Sequence, residues 1–399
     1  MENLKNKKIL LIICGGIAAY KSLELIRLLK KNGSYVKTIL TNNAKKFVTP
    51  LSVVSLSQEK VYSKLFDFKD ESEMDHISLS RWSDAILIAP ATANTISKLS
   101  NGIADDLAST VVLASNKRIF LAPAMNVRMW EHDSNKKNIS KLIGFGYRII
   151  GPEIGEMACG EYGHGKMSEP LEIIKYLNEY FTNLKNNSKL TAIVTAGPTH
   201  EYIDPIRYIT NRSSGKQGYE IAKCLQECGV QTTLITGPTN LSPAEGIKTI
   251  EVKSAEDMFK RTLENLPSDI GFFSAAVSDW RIKNYKNTKI KKDDGINLKF
   301  ERNTDILNHV SNHNSLRPKI VIGFSAETND IIKNSKMKIE QKNCDWLIAN
   351  DVSDNTIGFE SDYNEVTIFY KDKSAEKFPK MKKSLLAKKL VEKVISQIN

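Results

Sequence analysis

The sequence has few cysteines and no long apolar run. Its five cysteines among 399 residues are too scattered for a disulfide framework, and an odd number leaves at least one thiol unpaired. Cys224 and Cys228 lie in a helical pattern without a matching Cys/His pair, so we interpret them as structural rather than zinc-binding. The early apolar run 9–14 is too short to span a membrane and ends before two glycines rather than a cleavage site. These absences favour a cytoplasmic chain in which this run forms a buried strand.

Acidic residues are too few to balance the basic ones. Lysine and arginine number 57 against 46 aspartates and glutamates, a net charge of +11, which favours anionic partners: nucleic acid, membrane headgroups or phosphorylated small molecules. No stretch interleaves basic and aromatic residues as nucleic-acid-binding segments do, so small molecules are favoured. The 41% hydrophobic content is typical of folded proteins and excludes collagen-like and largely disordered classes.

Two parts of the chain alternate apolar strands with amphipathic helices, as doubly wound parallel sheets do. In the first part, the pattern predicts a helix over 17–31 and strands at 8–14, 36–40, 85–89, 118–121 and 147–150. In the second part, it predicts strands at 190–196, 231–235, 269–276, 319–324 and 346–349, a helix over 215–228, and a terminal helix from an N-cap at Ser384 to Ile398. The polar stretch 185–189 lacks periodicity and suits a linker. The sequence therefore predicts two Rossmann-like α/β domains, 1–184 and 190–399.

Polar or glycine-rich segments follow the strands of the first half, where ligands gather in such sheets. They are the Gly15-Gly16 turn, the run 90–95 (PATANT), the run 123–130 (PAMNVRMW) and a glycine-rich flap at 157–167. By pattern alone, the glycine turn could be only a tight connection, Asn126 a helix cap, Cys159 an idle surface thiol and His76 an ordinary polar histidine.

Together with Asp75-His76, these motifs resemble the flavin-containing cysteine decarboxylases, over most of residues 7–180. The resemblance implies a flavodoxin-like domain that holds FMN through Gly15, Gly16, Thr41, Thr92, Ala93, Asn94, Thr95 and Ala124. It further implies that the flavin oxidises the substrate thiol to a thioaldehyde so that carbon dioxide can leave. His76 would be the acid/base partner, Asn126 would position the substrate carboxylate, and Cys159 would protonate the remaining enethiolate.

The second half carries its own markers after its strands. Ser213-Ser214-Gly215-Lys216 opens a predicted helix and suits phosphate, although it is not a Walker A loop. The segment 275–280 (AAVSDW) ends a strand and precedes a basic run, 281–292. As a charge run alone, this segment would be a solvated loop.

This order resembles the phosphopantothenate–cysteine ligases over nearly all of 190–398. The resemblance implies a reaction in which CTP activates a carboxylate as an acyl-cytidylate with release of pyrophosphate, and it leads us to expect Mg²⁺ with unknown ligands. The implied nucleotide contacts are Ala275, Ala276, Asp279, Lys289, Thr304, Asp305, Ile306, Leu307, Phe324, Lys338 and Lys342. Asn211 and Arg207 would hold the acyl end, and Lys289 would make the basic run a closing lid. The sequence differs from the pattern expected of the two families at four positions, His164, Lys166, His200 and Thr304. Each of these residues adjoins a motif, and none replaces a reactive group.

Joined in this order, the halves resemble bifunctional enzymes of coenzyme A synthesis. The expected substrates are CTP, 4'-phosphopantothenate and cysteine, and the expected assembly is a homo-oligomer with flavin-domain trimers and ligase-domain dimers. Two other classes remain open: a flavoprotein binding module and a nicotinamide-dependent oxidoreductase. The second is disfavoured because the sequence lacks G-x-G-x-x-G and an acidic residue after the second strand.

Overall fold

The computed structural model describes residues 2–65, 75–158, 160–291, 297–327, 330–351 and 361–398. Within it the chain divides into two compact units, 1–182 and 183–399. Both are α/β units built around a largely parallel sheet, as the sequence predicts.

The first unit has a parallel sheet with strand order β3-β2-β1-β4-β5-β6. Residues Ile9 to Ile13 of its central strand are fully buried, because helices cover both faces of the sheet. A two-stranded hairpin, β7–β8, stands apart from that sheet. The strands are β1 (Lys8–Ile13), β2 (Tyr35–Leu40), β3 (Val61–Tyr62), β4 (Ala85–Ala91), β5 (Arg118–Pro123), β6 (Arg148–Ile149), β7 (Glu153–Glu156) and β8 (Tyr162–Lys166).

The helices of this unit follow the strands in alternation. The helix predicted over 17–31 begins with a 3-10 turn, Ile17–Ala19, before its α-helical part, α1 (Tyr20–Lys31). The others are α2 (Pro50–Ser57), α3 (Asp75–Trp82), α4 (Ala93–Ser100), α5 (Leu107–Leu113), α6 (Val127–Glu131), α7 (Asp133–Gly144) and α8 (Pro170–Asn187).

The prediction of a non-helical linker over 185–189 is wrong in its first part, because α8 runs to Asn187. Tertiary contacts explain the extension. The amide of Asn187 donates to the carbonyl of Cys228 at 2.9 Å, and Leu184 lies so close to Gly229 that a Cβ there would be 2.8 Å from its carbonyl oxygen.

The second unit has a sheet with order β13-β12-β9-β14-β17-β18-β19-β20, parallel from β13 to β18 and antiparallel from β18 to β20. Two short antiparallel pairs, β10–β11 and β15–β16, lie outside it. The strands are β9 (Thr191–Ala196), β10 (His200–Tyr202), β11 (Tyr208–Thr210), β12 (Gln231–Thr236), β13 (Lys248–Glu251), β14 (Ile270–Phe273), β15 (Trp280–Ile282), β16 (Phe300–Arg302), β17 (Ile320–Glu327), β18 (Trp346–Asp351), β19 (Tyr363–Tyr370) and β20 (Ala375–Lys382).

Helices cover both faces of this second sheet. One face is covered by α9 and α13, whose buried side chains share a core with β9, β14 and β17. Because α13 begins at Lys383, Ser384 lies in its first turn and is not the N-cap that the sequence predicts. The helices are α9 (Lys216–Glu227), α10 (Ala255–Glu264), α11 (Ile306–Ser311), α12 (Ile331–Lys342) and α13 (Lys383–Ile398).

Candidate active sites

The first unit has a cavity of about 850 Å³ at the carboxyl ends of β1, β2, β4 and β5. The strand order reverses at β1, because β2 lies on one side of it and β4 on the other. Ligands bind at such switch points in doubly wound sheets. All of the residues predicted to hold a flavin line this cavity: Gly15, Gly16, Thr41, Thr92, Ala93, Asn94, Thr95 and Ala124.

The loop after β4 presents a helix start to the cavity. Thr92 is the N-cap of α4, and its hydroxyl accepts a hydrogen bond from the N–H of Thr95 at 3.3 Å. The hydroxyl of Thr95 donates to the Sγ of Cys14 at 3.2 Å. Burial raises the pKa of the Cys14 thiol to about 11. This cysteine therefore stays protonated at neutral pH, and it lines the cavity without acting as a nucleophile. The positive end of α4 is suited to a phosphate.

Asn126 lies in the cavity lining at the start of α6. Its Oδ1 accepts from the N–H of Arg128 at 2.8 Å, so the helix-cap interpretation is correct. Its Nδ2 in addition donates to the carboxylate of Glu161. The side chain therefore caps a helix through oxygen and presents its nitrogen to a carboxylate.

The glycine-rich flap is an antiparallel hairpin of β7 and β8. The carbonyl of Gly165 accepts from the N–H of Met125 at 3.0 Å. A Cβ at Gly165 would lie 2.2 Å from the carbonyl oxygen of Met125, and one at Gly163 would lie 2.7 Å from Val127. The glycines let the hairpin backbone lie directly against the segment that carries Asn126.

Two residues predicted for the decarboxylase chemistry are not seen in this cavity. His76 lies on α3 and is not part of the cavity lining. Cys159 lies outside the described residues, although its predecessors Met157 and Ala158 line the cavity. Of the departures in the flap, His164 is exposed and Lys166 lies 3.3 Å from the carboxylate of Glu169.

Part of the cavity lining is charged, which the sequence pattern does not indicate. Lys98 on α4 makes ion pairs with Asp105 at 2.7 Å and Asp106 at 3.0 Å, and Asp106 caps α5. Lys21 on α1, buried, pairs with Glu169 at 2.8 Å. These residues occur in ordinary helical patterns, so only the fold brings them to the cavity.

The second unit has a cavity of about 670 Å³ at the carboxyl ends of β9, β14, β17 and β18. It collects most of the residues predicted for the ligase: Asn211, Ala275, Ala276, Asp279, Thr304, Asp305, Ile306, Leu307, Phe324, Lys338 and Lys342. The Ser213-Ser214-Gly215-Lys216 segment also lines it and leads into α9. Gly215 has a φ of +75° at the N-cap, a conformation that favours glycine.

A helix cap and an ion pair meet on one side of this cavity. Asp305 caps α11 by accepting from the N–H of Asn308 at 2.9 Å, and its other oxygen pairs with the ammonium of Lys342. Asp279 lies nearby and interacts electrostatically with Lys342. Cations and carboxylates are therefore interleaved here, an arrangement suited to a phosphorylated ligand with its counter-ion.

Arg207 and Lys289 do not line the second cavity. Arg207 donates to the carbonyl of Ile290 at 2.9 Å. The buried carboxylate of Asp204 accepts from the N–H groups of Ile206, Arg207 and Ile290 at 2.9, 2.8 and 3.2 Å. Arg207 thus ties down the end of the basic run, in which Lys289 is exposed.

His200, one of the departures from the expected sequence, lies in the β10–β11 hairpin. Its ring stacks on Tyr208 with centroids 3.9 Å apart, and burial lowers its pKa. It is a packing residue and does not line the cavity. Thr304, in contrast, does line it.

In the described ranges, no cluster of three or more His, Cys, Asp or Glu side chains is placed to hold a metal ion. Nor is any helix of the described chain long and apolar enough to cross a bilayer.

The two units are both doubly wound α/β units with a cavity at the carboxyl ends of their strands, where ligands bind in such folds. Residues 1–182 match the family model "Flavoprotein", and residues 188–398 match "DNA/pantothenate metabolism flavoprotein C-terminal domain". The Coenzyme A biosynthesis bifunctional protein CoaBC of Haemophilus influenzae is 42% identical over 396 residues, covering 99% of this chain and 98% of the relative. The protein of that name from Bacillus subtilis is 42% identical over 386 residues, covering 95% and 94%.

The chain belongs to this family of bifunctional coenzyme A biosynthesis proteins. Among solved structures, the C-terminal domain of a Coenzyme A biosynthesis bifunctional protein CoaBC is similar, with 31% identity and a TM-score of 0.44. The match covers 53% of this chain and 98% of that one.

Proposed function

We propose that the chain performs two consecutive steps of coenzyme A biosynthesis. The second unit ligates 4'-phosphopantothenate to cysteine with CTP, through an acyl-cytidylate. The first unit decarboxylates the 4'-phosphopantothenoylcysteine so formed to 4'-phosphopantetheine. The observation that carries the proposal is that each unit has a large cavity at its strand ends, lined by most of the residues expected for that step.

The first cavity fits FMN in size and chemistry. Its volume of about 850 Å³ lies in the usual range for small-molecule sites. The α4 start at Thr92 can receive the phosphate, and the apolar side chains of Ile39, Leu40 and Met125 can receive a ring system. When bound, FMN supplies the reversible two-electron oxidation that makes loss of carbon dioxide possible.

Asn126 has the role of holding the substrate carboxylate. Its Nδ2 already donates to a carboxylate, that of Glu161. In the proposal, the substrate carboxylate takes this donor and Glu161 gives way. Asn126 keeps its orientation throughout because its Oδ1 stays bound to the start of α6.

The acid/base role of His76 requires a second copy of the chain, because His76 does not line the cavity of its own chain. Exposed apolar side chains at the cavity rim support such an assembly: Ile17 is 62% exposed and Tyr20 60%. Co-expression of His76→Asn and Asn126→Asp variants tests this, since mixed assemblies contain some sites with both native residues. Activity above that of either variant alone supports the arrangement, and no recovery in a verified mixed assembly contradicts it.

In the second cavity, Lys338, Lys342 and the Ser213–Lys216 segment hold the CTP triphosphate. The carboxylates of Asp279 and Asp305 lie beside Lys342 and can share the Mg²⁺ that accompanies a nucleoside triphosphate. Asn211, whose amide donates to the carbonyl of Val277 at 3.0 Å, is held at the cavity for contact with the acyl group. The basic run closes over this cavity with Lys289, and we propose that ligase units form dimers and flavin units trimers.

One set of assays separates the two activities. Purified protein should be yellow, should release pyrophosphate from CTP and phosphopantothenate, and should release carbon dioxide once cysteine is added. Asn126→Asp should lose carbon dioxide release and keep pyrophosphate release, and Lys342→Met should do the reverse when phosphopantothenoylcysteine is supplied. A colourless protein that makes neither product would overturn the proposal, and pyrophosphate without carbon dioxide would indicate a flavin half that only binds.

A further inference from the structure

One wall of the second cavity carries polar side chains outside the set expected for the nucleotide. Ser325, Asn350 and Asn364 stand at the ends of β17, β18 and β19, and Lys383 is the first residue of α13. Among the predicted nucleotide contacts, Phe324 precedes Ser325 on β17, whereas Asp305 and the lysines of α12 come from other segments. We call Ser325, Asn350, Asn364 and Lys383 the polar wall.

Among the residues that the structure describes, buried hydrogen-bond acceptors of the polar wall have no donor. Asn364 is only 2% exposed. Its Nδ2 donates to Oδ1 of Asn350 at 3.2 Å, but its own Oδ1 has no hydrogen-bond partner within the described ranges. Ser325 Oγ and the cavity-lining Gln217 Oε1 are in the same condition. Buried acceptors left without donors are rare and costly, which indicates that a ligand supplies the donors.

Lys383 adds a positive charge to the same cavity lining, and it follows Lys382, which pairs with Tyr363, the residue before Asn364. Lys383 is 6% exposed and close to Lys216, whose ammonium pairs with Asp362 at 2.7 Å. Burial and the neighbouring Lys216 lower its pKa to about 8. Such a group gains a favourable environment when an anion binds against it.

A ligand that suits the polar wall must therefore present donors to Asn364 and a negative charge to Lys383. A triphosphate has the charge but offers only acceptor oxygens, which would face the acceptor oxygen of Asn364. An α-amino acid has both groups on one carbon. Cysteine, the amine that must attack the activated acyl group, is such a ligand.

We propose that the polar wall is the cysteine subsite of the ligase, with Lys383 bound to the cysteine carboxylate and Asn364 accepting from its amine. This inference rests on the proposed ligase function. It assigns Lys383 and Asn364 as substrate-binding residues of the same cavity that holds the nucleotide.

The test compares cysteine with cysteamine, which has the same thiol and amine but no carboxylate. Pyrophosphate release and CMP formation report the ligase without involving the flavin half. The wild-type enzyme should prefer cysteine by about 10- to 100-fold in kcat/KM, the range for one charge-assisted hydrogen bond. Lys383→Met should lower kcat/KM for cysteine by that factor, change the value for cysteamine less than about twofold, and so abolish the preference.

Two variants complete the design. Lys382→Met removes an exposed neighbouring lysine that does not line the second cavity and should behave as wild type. Asn364→Leu should lower kcat/KM for cysteine and for cysteamine by the same factor, because both molecules carry the amine. In Lys383→Met and in Asn364→Leu, the burst of pyrophosphate without cysteine or cysteamine should fall by a smaller factor than kcat/KM for cysteine.

Other outcomes overturn the proposal. Loss of the pyrophosphate burst with a raised KM for CTP in Lys383→Met would place Lys383 on the triphosphate, and a wild-type enzyme indifferent to the carboxylate would remove its role. If Lys383→Met does not fold, the result for Asn364→Leu decides. An equal loss of kcat/KM for cysteine and cysteamine supports the subsite, and an unchanged kcat/KM for both contradicts it. A wild-type enzyme that releases no pyrophosphate would contradict the proposed function itself.

Discussion

The flap hairpin makes a sharp prediction at Gly165. Its φ is +149°, and a Cβ there would lie 2.2 Å from the carbonyl oxygen of Met125. The two atoms must separate by at least 3.0 − 2.2 = 0.8 Å to reach the closest approach that real Cβ atoms show. Such a shift would stretch the 3.0 Å hydrogen bond from Met125 N–H to Gly165 beyond a useful length.

The free-energy cost of Gly165→Ala has two parts, the unfavourable backbone conformation and the lost hydrogen bond. A side chain in this region of backbone space costs about 1–3 kcal/mol, and the lost hydrogen bond costs about 1 kcal/mol. Together, roughly 2–4 kcal/mol would oppose docking of the hairpin, which corresponds to a roughly 30- to 700-fold smaller ratio of docked to undocked hairpin. Decarboxylation of supplied phosphopantothenoylcysteine should therefore fall at least tenfold with FMN in excess.

Gly102 provides the matched control. It also has a positive φ, +68°, but its Cβ would meet no heavy atom within 4 Å, so Gly102→Ala introduces a side chain at positive φ without a steric clash. Pyrophosphate release by the second unit serves as the internal standard for folded protein. If Gly165→Ala decarboxylates within twofold of Gly102→Ala at equal pyrophosphate release, hairpin docking does not control this step and the reasoning is refuted.

Three further predictions concern buried groups. Thiol labelling of folded protein at pH 8 should spare Cys14, Cys224 and Cys344, because burial raises their pKa values to about 11, 12 and 11; peptide mass spectrometry measures the labelling. Asp204→Asn should lower ligase kcat/KM about tenfold, since the buried oxygen that accepts from Ile290 is replaced by a donor, as a pyrophosphate assay would show. Lys383→Met should be more stable than wild type below pH 8, with the difference shrinking as pH rises toward 10.5. The folded pKa of about 8 lies below the ordinary lysine pKa of 10.5, so wild-type stability rises over that interval, as denaturation midpoints would record.

Each of these predictions has a control and a contrary result. All three cysteines should react once the chain is unfolded in guanidinium, and rapid labelling of any of them in folded protein would contradict its burial. Asp372→Asn, at an exposed turn, should leave the ligase unchanged; equal losses in both aspartate variants would argue against a specific role for Asp204. A pH-independent difference between Lys383→Met and wild type would mean that Lys383 does not titrate between pH 8 and 10.5.

The parallel strands and the segments that follow them could be predicted because their signals are local. Buried parallel strands are continuous apolar runs, such as 9–13, and the residues after them must lie at one edge of the sheet. The position directly after a strand therefore predicts a place at a cavity for Thr92, Asn126 and Asp279, and all three line one. The antiparallel edge of the second sheet could not be predicted, because its strand β20 (Ala375–Lys382) lacks a continuous apolar run. The strand is mostly exposed and charged and contains Pro379, so it has the composition of a loop.

Several site residues could not be found by local reasoning. Lys383 and Asn364 approach the second cavity only because β19 turns back along β18 and α13 follows β20. Conversely, resemblance placed Arg207 and Lys289 at the reaction, whereas the structure puts Arg207 against Ile290 and leaves Lys289 exposed outside the cavity lining. Motif order identifies chemistry, but the tertiary path of the chain decides which side chains meet.

Helix α8 has a consequence for separating the two activities. It contributes Ile173, Ile174 and Leu177 to the buried interior of the first unit, and farther on Asn187 binds the carbonyl of Cys228 in the second. A gene split at residue 183 would sever the helix in its last turns and leave backbone groups on both fragments without their helical partners. Stand-alone halves should therefore need overlapping ends, with the first extended through Asn187 and the second started upstream of Leu184.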